Sequence, residues 1–161
     1  MFAKFAGRSA AVLSLMAGVA TAAGAQTQTV NFEVKAINQF SITSTAVTLT
    51  ITSATAGSDP SPVSDASSVW SVTTNQTGAK ISASIPTNMP TGLTLDVLLG
   101  APAGATATAR TLSTTSQDLV TGITKLKAGP MTVTYTLAAT AAAGVIAPDS
   151  RVVTYTMTPG T

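Results

Sequence analysis

Met131-Thr-Val-Thr-Tyr-Thr-Leu137 is the stretch on which the fold turns. Side chains of a β-strand point alternately to its two faces. Here Met131, Val133, Tyr135 and Leu137 share one face, and Thr132, Thr134 and Thr136 share the other. A helix would scatter the same residues around its axis, so the period of two predicts a half-buried strand. Threonine suits the outer face, being β-branched and still able to meet water.

Working outward, the pattern recurs. Val153, Tyr155 and Met157 alternate with Thr154, Thr156 and Thr158, and Val47, Leu49 and Ile51 with Thr48, Thr50 and Thr52. Leu93, Leu95, Val97 and Leu99 alternate with polar partners that include Asp96. Near the start, Val30, Phe32, Val34 and Ala36 oppose Asn31, Glu33 and Lys35. Ile37 breaks that phase, which predicts a bulge near Asn38-Gln39 before Phe40 and Ile42 resume. Shorter runs at 69–73, 81–85 and 119–126, and a weaker one at 105–112, complete the set. Ser, Pro, Gly and Asp mark loops at 53–68, 75–78, 89–92 and 100–104 and a turn at Gly129-Pro130. Residues 138–146 have helical propensity, but Gly144 argues against a long helix.

Eight or nine short strands without a helix predict an all-β domain. The expected form is a two-sheet antiparallel β-sandwich, immunoglobulin-like with Greek-key connections; a closed barrel is the alternative. No fixed-period repeat suggests a solenoid.

The N-terminus carries a different signal. Lys4 and Arg8 precede an apolar run over 10–22, followed by Ala23-Gly24-Ala25. A basic head, an apolar middle and small residues at two alternate positions are what signal peptidase reads. Residues 1–25 are therefore expected to be a secretory signal peptide, cut between Ala25 and Gln26, leaving a single domain over 26–161. The whole chain has 8 Lys+Arg and 6 Asp+Glu; removing Lys4 and Arg8 leaves six of each. The exported chain is then formally neutral, and neutral surfaces associate readily. The expected location is secreted or on the cell surface. No later apolar run is long enough to span a bilayer, so no membrane anchor is expected after cleavage.

The composition excludes much chemistry. There is no histidine and no cysteine, which removes histidine-based triads, thiol nucleophiles, disulfides and the usual zinc ligands. Glu33 is the only glutamate, and Asp59, Asp65, Asp96, Asp118 and Asp149 are scattered. Paired catalytic carboxylates are not indicated. No catalytic, cofactor-binding or metal-binding residue is expected. Asp59-Pro-Ser-Pro-Val-Ser-Asp65 is oxygen-rich, but it reads as a polar turn before it reads as a calcium loop. Lys125 and Lys127 are too few for a nucleic-acid surface. Asn75-Gln76-Thr77 fits the N-glycosylation pattern weakly. Beyond residue 25 the aromatics are Phe32, Phe40, Trp70, Tyr135 and Tyr155, too few for both a core and a sugar platform, so Trp70 is assigned to the core.

Ala143-Gly-Val-Ile-Ala-Pro148 followed by Arg151-Val-Val-Thr-Tyr-Thr-Met-Thr158 resembles the close of exported bacterial β-sandwich proteins of fimbrial or spore-coat type. Phe32-Glu-Val-Lys-Ala-Ile37, Thr73-Thr-Asn75, Asn88-Met-Pro-Thr-Gly-Leu-Thr-Leu95 and Asp118-Leu-Val-Thr-Gly-Ile123 look like a group of small, uncharacterised secreted bacterial proteins. The first resemblance implies a surface or filament subunit; the second brings no activity with it.

The expectation is a non-enzymatic extracellular structural protein, a subunit of a surface layer, pilus-like filament or matrix. The alternative is a secreted module that binds glycan or another surface polymer. Self-association through edge strands is the expected partnership. Its candidate element is the segment bearing Val30, Phe32, Val34 and Ala36, which either pairs within its own sheet, the simpler reading, or completes a neighbour's.

Overall fold

The computed structural model describes residues 24–43 and 46–161. The expected signal segment, including Ala23, lies outside them up to residue 23. The chain divides after Glu33. Residues 24–33 carry no regular secondary structure, and every strand lies in the unit that begins at Val34.

The described residues form nine strands and one short 3-10 turn at Ala141–Ala143. The strands are β1 (Asn38–Ile42), β2 (Val63–Thr74), β3 (Ala79–Ser84), β4 (Leu93–Leu99), β5 (Thr106–Ala107), β6 (Arg110–Thr111), β7 (Gln117–Ile123), β8 (Leu126–Ala139) and β9 (Thr154–Thr158). They build two sheets, ordered β1-β2-β8-β4-β6 and β5-β7-β3-β9, with every pairing antiparallel. One core joins them. Trp70, Val72, Val97, Leu99 and Val133 come from the first sheet, and Ile81, Ala83, Leu119, Val120 and Ile123 from the second. Met131-to-Leu137 lies in β8, the middle strand of the larger sheet, between β2 and β4.

Several expected boundaries move, each for a physical reason. Asn38-Gln39 is not a break but the start of β1, paired with Thr74 and Thr73. The loop expected over 53–68 ends at Pro62. Ser64 and Asp65 belong to β2, where the Ser64 and Thr136 hydroxyls lie 2.8 Å apart across the ladder. Such residues are rare in strands and read as loop, yet a half-exposed strand tolerates them. Gly129-Pro130 is not a turn but lies inside β8. The ladder slips between Trp70 and Val72 opposite it, and a Cβ at Gly129 would overlap the Ser71 side chain. The strand expected at 119–126 ends at Ile123, where the chain leaves the smaller sheet and enters the larger at Leu126. The weak run at 105–112 is shared between the sheets. Thr106–Ala107 pairs with β7 and Arg110–Thr111 with β4, and the short residues Thr108 and Ala109 make the crossing.

Two expected strands are absent as strands. Residues 29–36 form no ladder among the described residues. Residues 46–52 keep the alternation of burial, with Val47, Leu49 and Ile51 half-buried between exposed threonines, but form no ladder either. This second segment is tied to β2 at its near end, where Thr43 N donates to Val69 O at 2.9 Å, and at its far end to the loop before β2, where Ser61 N donates to Ser53 O at 2.8 Å. Ten steps of chain run from Thr43 to Ser53 against eight from Val69 back to Ser61. The two surplus residues put the segment out of register with β2, so it cannot zip up.

Candidate assembly site

The site residues expected from sequence are found as follows. Val30, Phe32 and Val34 are 71%, 92% and 78% exposed, and Ala36 is exposed as well. The segment forms no ladder among the described residues. Ala25 and Gln26, on either side of the expected cleavage point, are exposed and irregular. Exposed apolar side chains scattered singly are ordinary, but here three recur at alternate positions of one segment without regular secondary structure.

The chain around 35–37 is held with care. The Asn75 side chain donates from Nδ2 to Lys35 O at 2.8 Å. Its Oδ1 accepts from Ile37 N at 2.8 Å, and Asn75 N donates to Ile37 O at 3.3 Å. In an extended chain the carbonyl of one residue and the N–H two residues on point to the same side. A single amide can satisfy both, standing in for a neighbouring strand. The clamp is braced from beneath. Thr74 Oγ1 donates to Asn38 Oδ1 at 2.8 Å, Asn38 Nδ2 to Gln76 Oε1 at 2.6 Å, and Gln76 N to Thr74 Oγ1 at 3.1 Å. The nitrogen a glycan would occupy at Asn75 is thus already engaged with the backbone.

Within the strand unit, one side is open. β1 is the last strand of the larger sheet and β9 the last of the smaller, so among the described residues each has an unpaired edge. The two edges lie on the same side, since the Phe40 and Tyr155 rings are 6.1 Å apart across them. The opposite side is drawn together by Arg110 of β6, whose Nε donates to Asp118 O of β7 at 3.3 Å. The inward rows of the open side are Phe40 and Ile42 on β1, and Val153, Tyr155 and Met157 on and beside β9. All are partly buried and packed against the core. Below β1 follows the unladdered segment 46–52.

Behind this side stands an aromatic group that sequence reasoning did not assemble. Phe40 lies 5.9 Å from Trp70, ring centre to ring centre, and the Tyr135 and Tyr155 hydroxyls are 2.7 Å apart. Burial pushes both phenols above the usual tyrosine range. Their spacing in the sequence offers no hint of this. Each tyrosine was legible as an inward residue of its own strand, but the pairing depends on how the two sheets are stacked. Trp70 is 1% exposed, in the core as expected, which takes away the sugar platform it could have provided.

The remaining polar residues are committed locally. Asp59 Oδ1 accepts from Ala141 N at 2.8 Å. Asp65 accepts from Ser67 Oγ and Ser67 N, which holds its carboxyl below the usual range. Among the described residues no three acidic side chains come together as a metal site. No helix among them is long and apolar enough to cross a membrane. Lys125 and Lys127 line a shallow depression with Ile37, Thr73, Thr74, Asn75 and Leu126. No protein-family model, curated protein or solved structure matches this chain.

Proposed function

We propose that this chain is an exported, non-enzymatic structural protein whose copies join into a surface layer, pilus-like filament or matrix. The subunit is an immunoglobulin-like, Greek-key β-sandwich. The segment of residues 29–36 leaves one copy and adds a strand to the open side of the next. The observation that carries this reading is the exposure of Val30, Phe32 and Val34 at alternate positions of a segment that forms no ladder among the described residues. The same chain has two free sheet edges side by side.

The physics is that of strand addition. Main-chain hydrogen bonds to a free edge supply affinity, and alternate side chains entering alternate pockets supply register. Donor and acceptor are different surfaces, so the contact is heterologous and propagates head to tail. A near-neutral, threonine-rich surface carries little charge repulsion against such packing. Export rests on the basic, apolar and small-residue pattern that ends at Ala25.

Two experiments test the reading. Mass spectrometry of protein recovered outside the cell is expected to show Gln26 as the first residue; an intact Met1 would refute export with cleavage. Deleting residues 26–36 is expected to abolish polymer and leave a folded subunit that binds a peptide of residues 26–36 added in trans. Normal polymerisation of the deleted protein would exclude exchange of this segment.

A further inference from the structure

The segment 29–36 and the free edges pose a choice that the reading above leaves open. The segment 29–36 could turn back and pair along the outer edge of its own β1, or it could serve a second copy. We infer that the Asn75 clamp makes this choice, committing the segment to a second copy of the chain. This inference rests on the proposed strand exchange and adds to it the partner and the residue that selects it.

Pairing with its own β1 would need a reversal within Lys35-Ala36-Ile37, directly before β1 begins at Asn38. Short hairpin loops require residues that accept positive φ, chiefly Gly, Asn and Asp. None occurs at 35–37, and Ile37 is β-branched, the type least able to adopt that conformation. The clamp adds a second obstacle. Asn75 Nδ2 holds Lys35 O and Asn75 Oδ1 holds Ile37 N, both at 2.8 Å. These are a carbonyl and an N–H that point the same way only while the chain is extended. A turn at 35–37 would break both bonds, together with the one from Asn75 N to Ile37 O. Lys35 and Ala36 are exposed, so no burial of their side chains offers another reason for this arrangement. A clamp that holds 35–37 extended bars the tight return along β1, and this favours a second copy as the partner of residues 29–36.

The test uses the full mature chain and two variants. Asn75→Ala removes the side-chain clamp. The double variant Ala36→Asn, Ile37→Gly supplies a favoured two-residue turn in phase with the outer edge of β1, where the backbone of Asn38 and not of Ile37 points away from β2, leaves Asn75 in place and touches no buried residue, so it keeps the test sound should Asn75→Ala fail to fold. Size-exclusion chromatography gives the monomer fraction, and hydrogen exchange reports on the amides of 29–36 within the monomer. Both variants are expected to raise the monomer fraction several-fold, with the 29–36 amides newly protected in those monomers. If the natural chain polymerises and the folded variants match it in both readouts, the clamp has no selecting role and this inference falls alone. If the natural chain stays monomeric with unprotected amides at 29–36, the strand-exchange reading falls and takes this one with it.

Discussion

Val30-Asn-Phe-Glu-Val34 and Met131-Thr-Val-Thr-Tyr135 carry the same alternation, and the fold treats them in opposite ways. The second lies in the middle of a five-stranded sheet, where Val133 is fully buried. The first is unpaired, with Phe32 almost wholly exposed. Alternation therefore specifies that a segment has an apolar face; it does not specify which molecule covers that face. The outer faces differ as well. Thr132 and Thr134 are ordinary strand threonines, whereas Glu33 and Lys35 alternate with the apolar residues and carry both charge signs.

This contrast can be broken or sharpened by substitution. The largest effect is expected in the core that β8 helps to build. Trp70→Ala should cost about 3–5 kcal/mol of subunit stability, read as a loss of denaturant midpoint. Val133→Ala should cost about 2 kcal/mol. Phe32→Ala should change subunit stability by less than about 0.5 kcal/mol, yet sharply reduce polymer in sedimentation. A substantial loss of subunit stability in Phe32→Ala would mean that the first segment is already packed in the isolated copy, and the contrast would disappear.

A pH series separates the aromatic group behind the open side from the surface charges. Burial raises the Tyr135 and Tyr155 phenols in the folded chain. The folded state therefore holds protons that the unfolded state releases, so stability should fall as pH rises above about 10, the unfolded tyrosine value. Tyr155→Phe should flatten that alkaline decline. The opposite sign holds for Asp149, lowered by the backbone N–H of Ser150 and by Arg151. Its contribution is present above about pH 4 and is lost as pH falls through its lowered folded value. The smallest effect is expected at the exposed pair of Lys80 and Asp118, 3.0 Å apart. Lys80→Ala should cost no more than about 1 kcal/mol in equilibrium unfolding.

The sequence carries the all-β class and two-sheet antiparallel architecture because period-two patterning is a local property. β4 at Leu93–Leu99 coincides with its sequence reading, and β3, β7 and β9 lie within two or three residues of theirs. What could not be read is relational. Residues 46–52 show the alternation of a strand, but the surplus of residues between the tether to Val69 and the one to Ser61, in the loop before β2, withholds a ladder. The division of 105–112 between sheets depends on where β4 and β7 lie. The apolar row of the candidate site, Val30, Phe32, Val34 and Ala36, was visible from its spacing. Asn75 was visible only as part of a glycosylation pattern, since its grip on Lys35 and Ile37 spans 40 and 38 positions of chain.

The central claim is that residues 29–36 are unpaired in their own subunit and become a strand in another. Hydrogen exchange of the amides of residues 30–34, whose N–H groups alternate between the two sides of a strand, compared between dilute monomer and assembled polymer of the mature chain, tests it most directly. The account predicts rapid exchange in the monomer and strong protection in the polymer. Equal protection in the two states, or free exchange in a fully formed polymer, would contradict it.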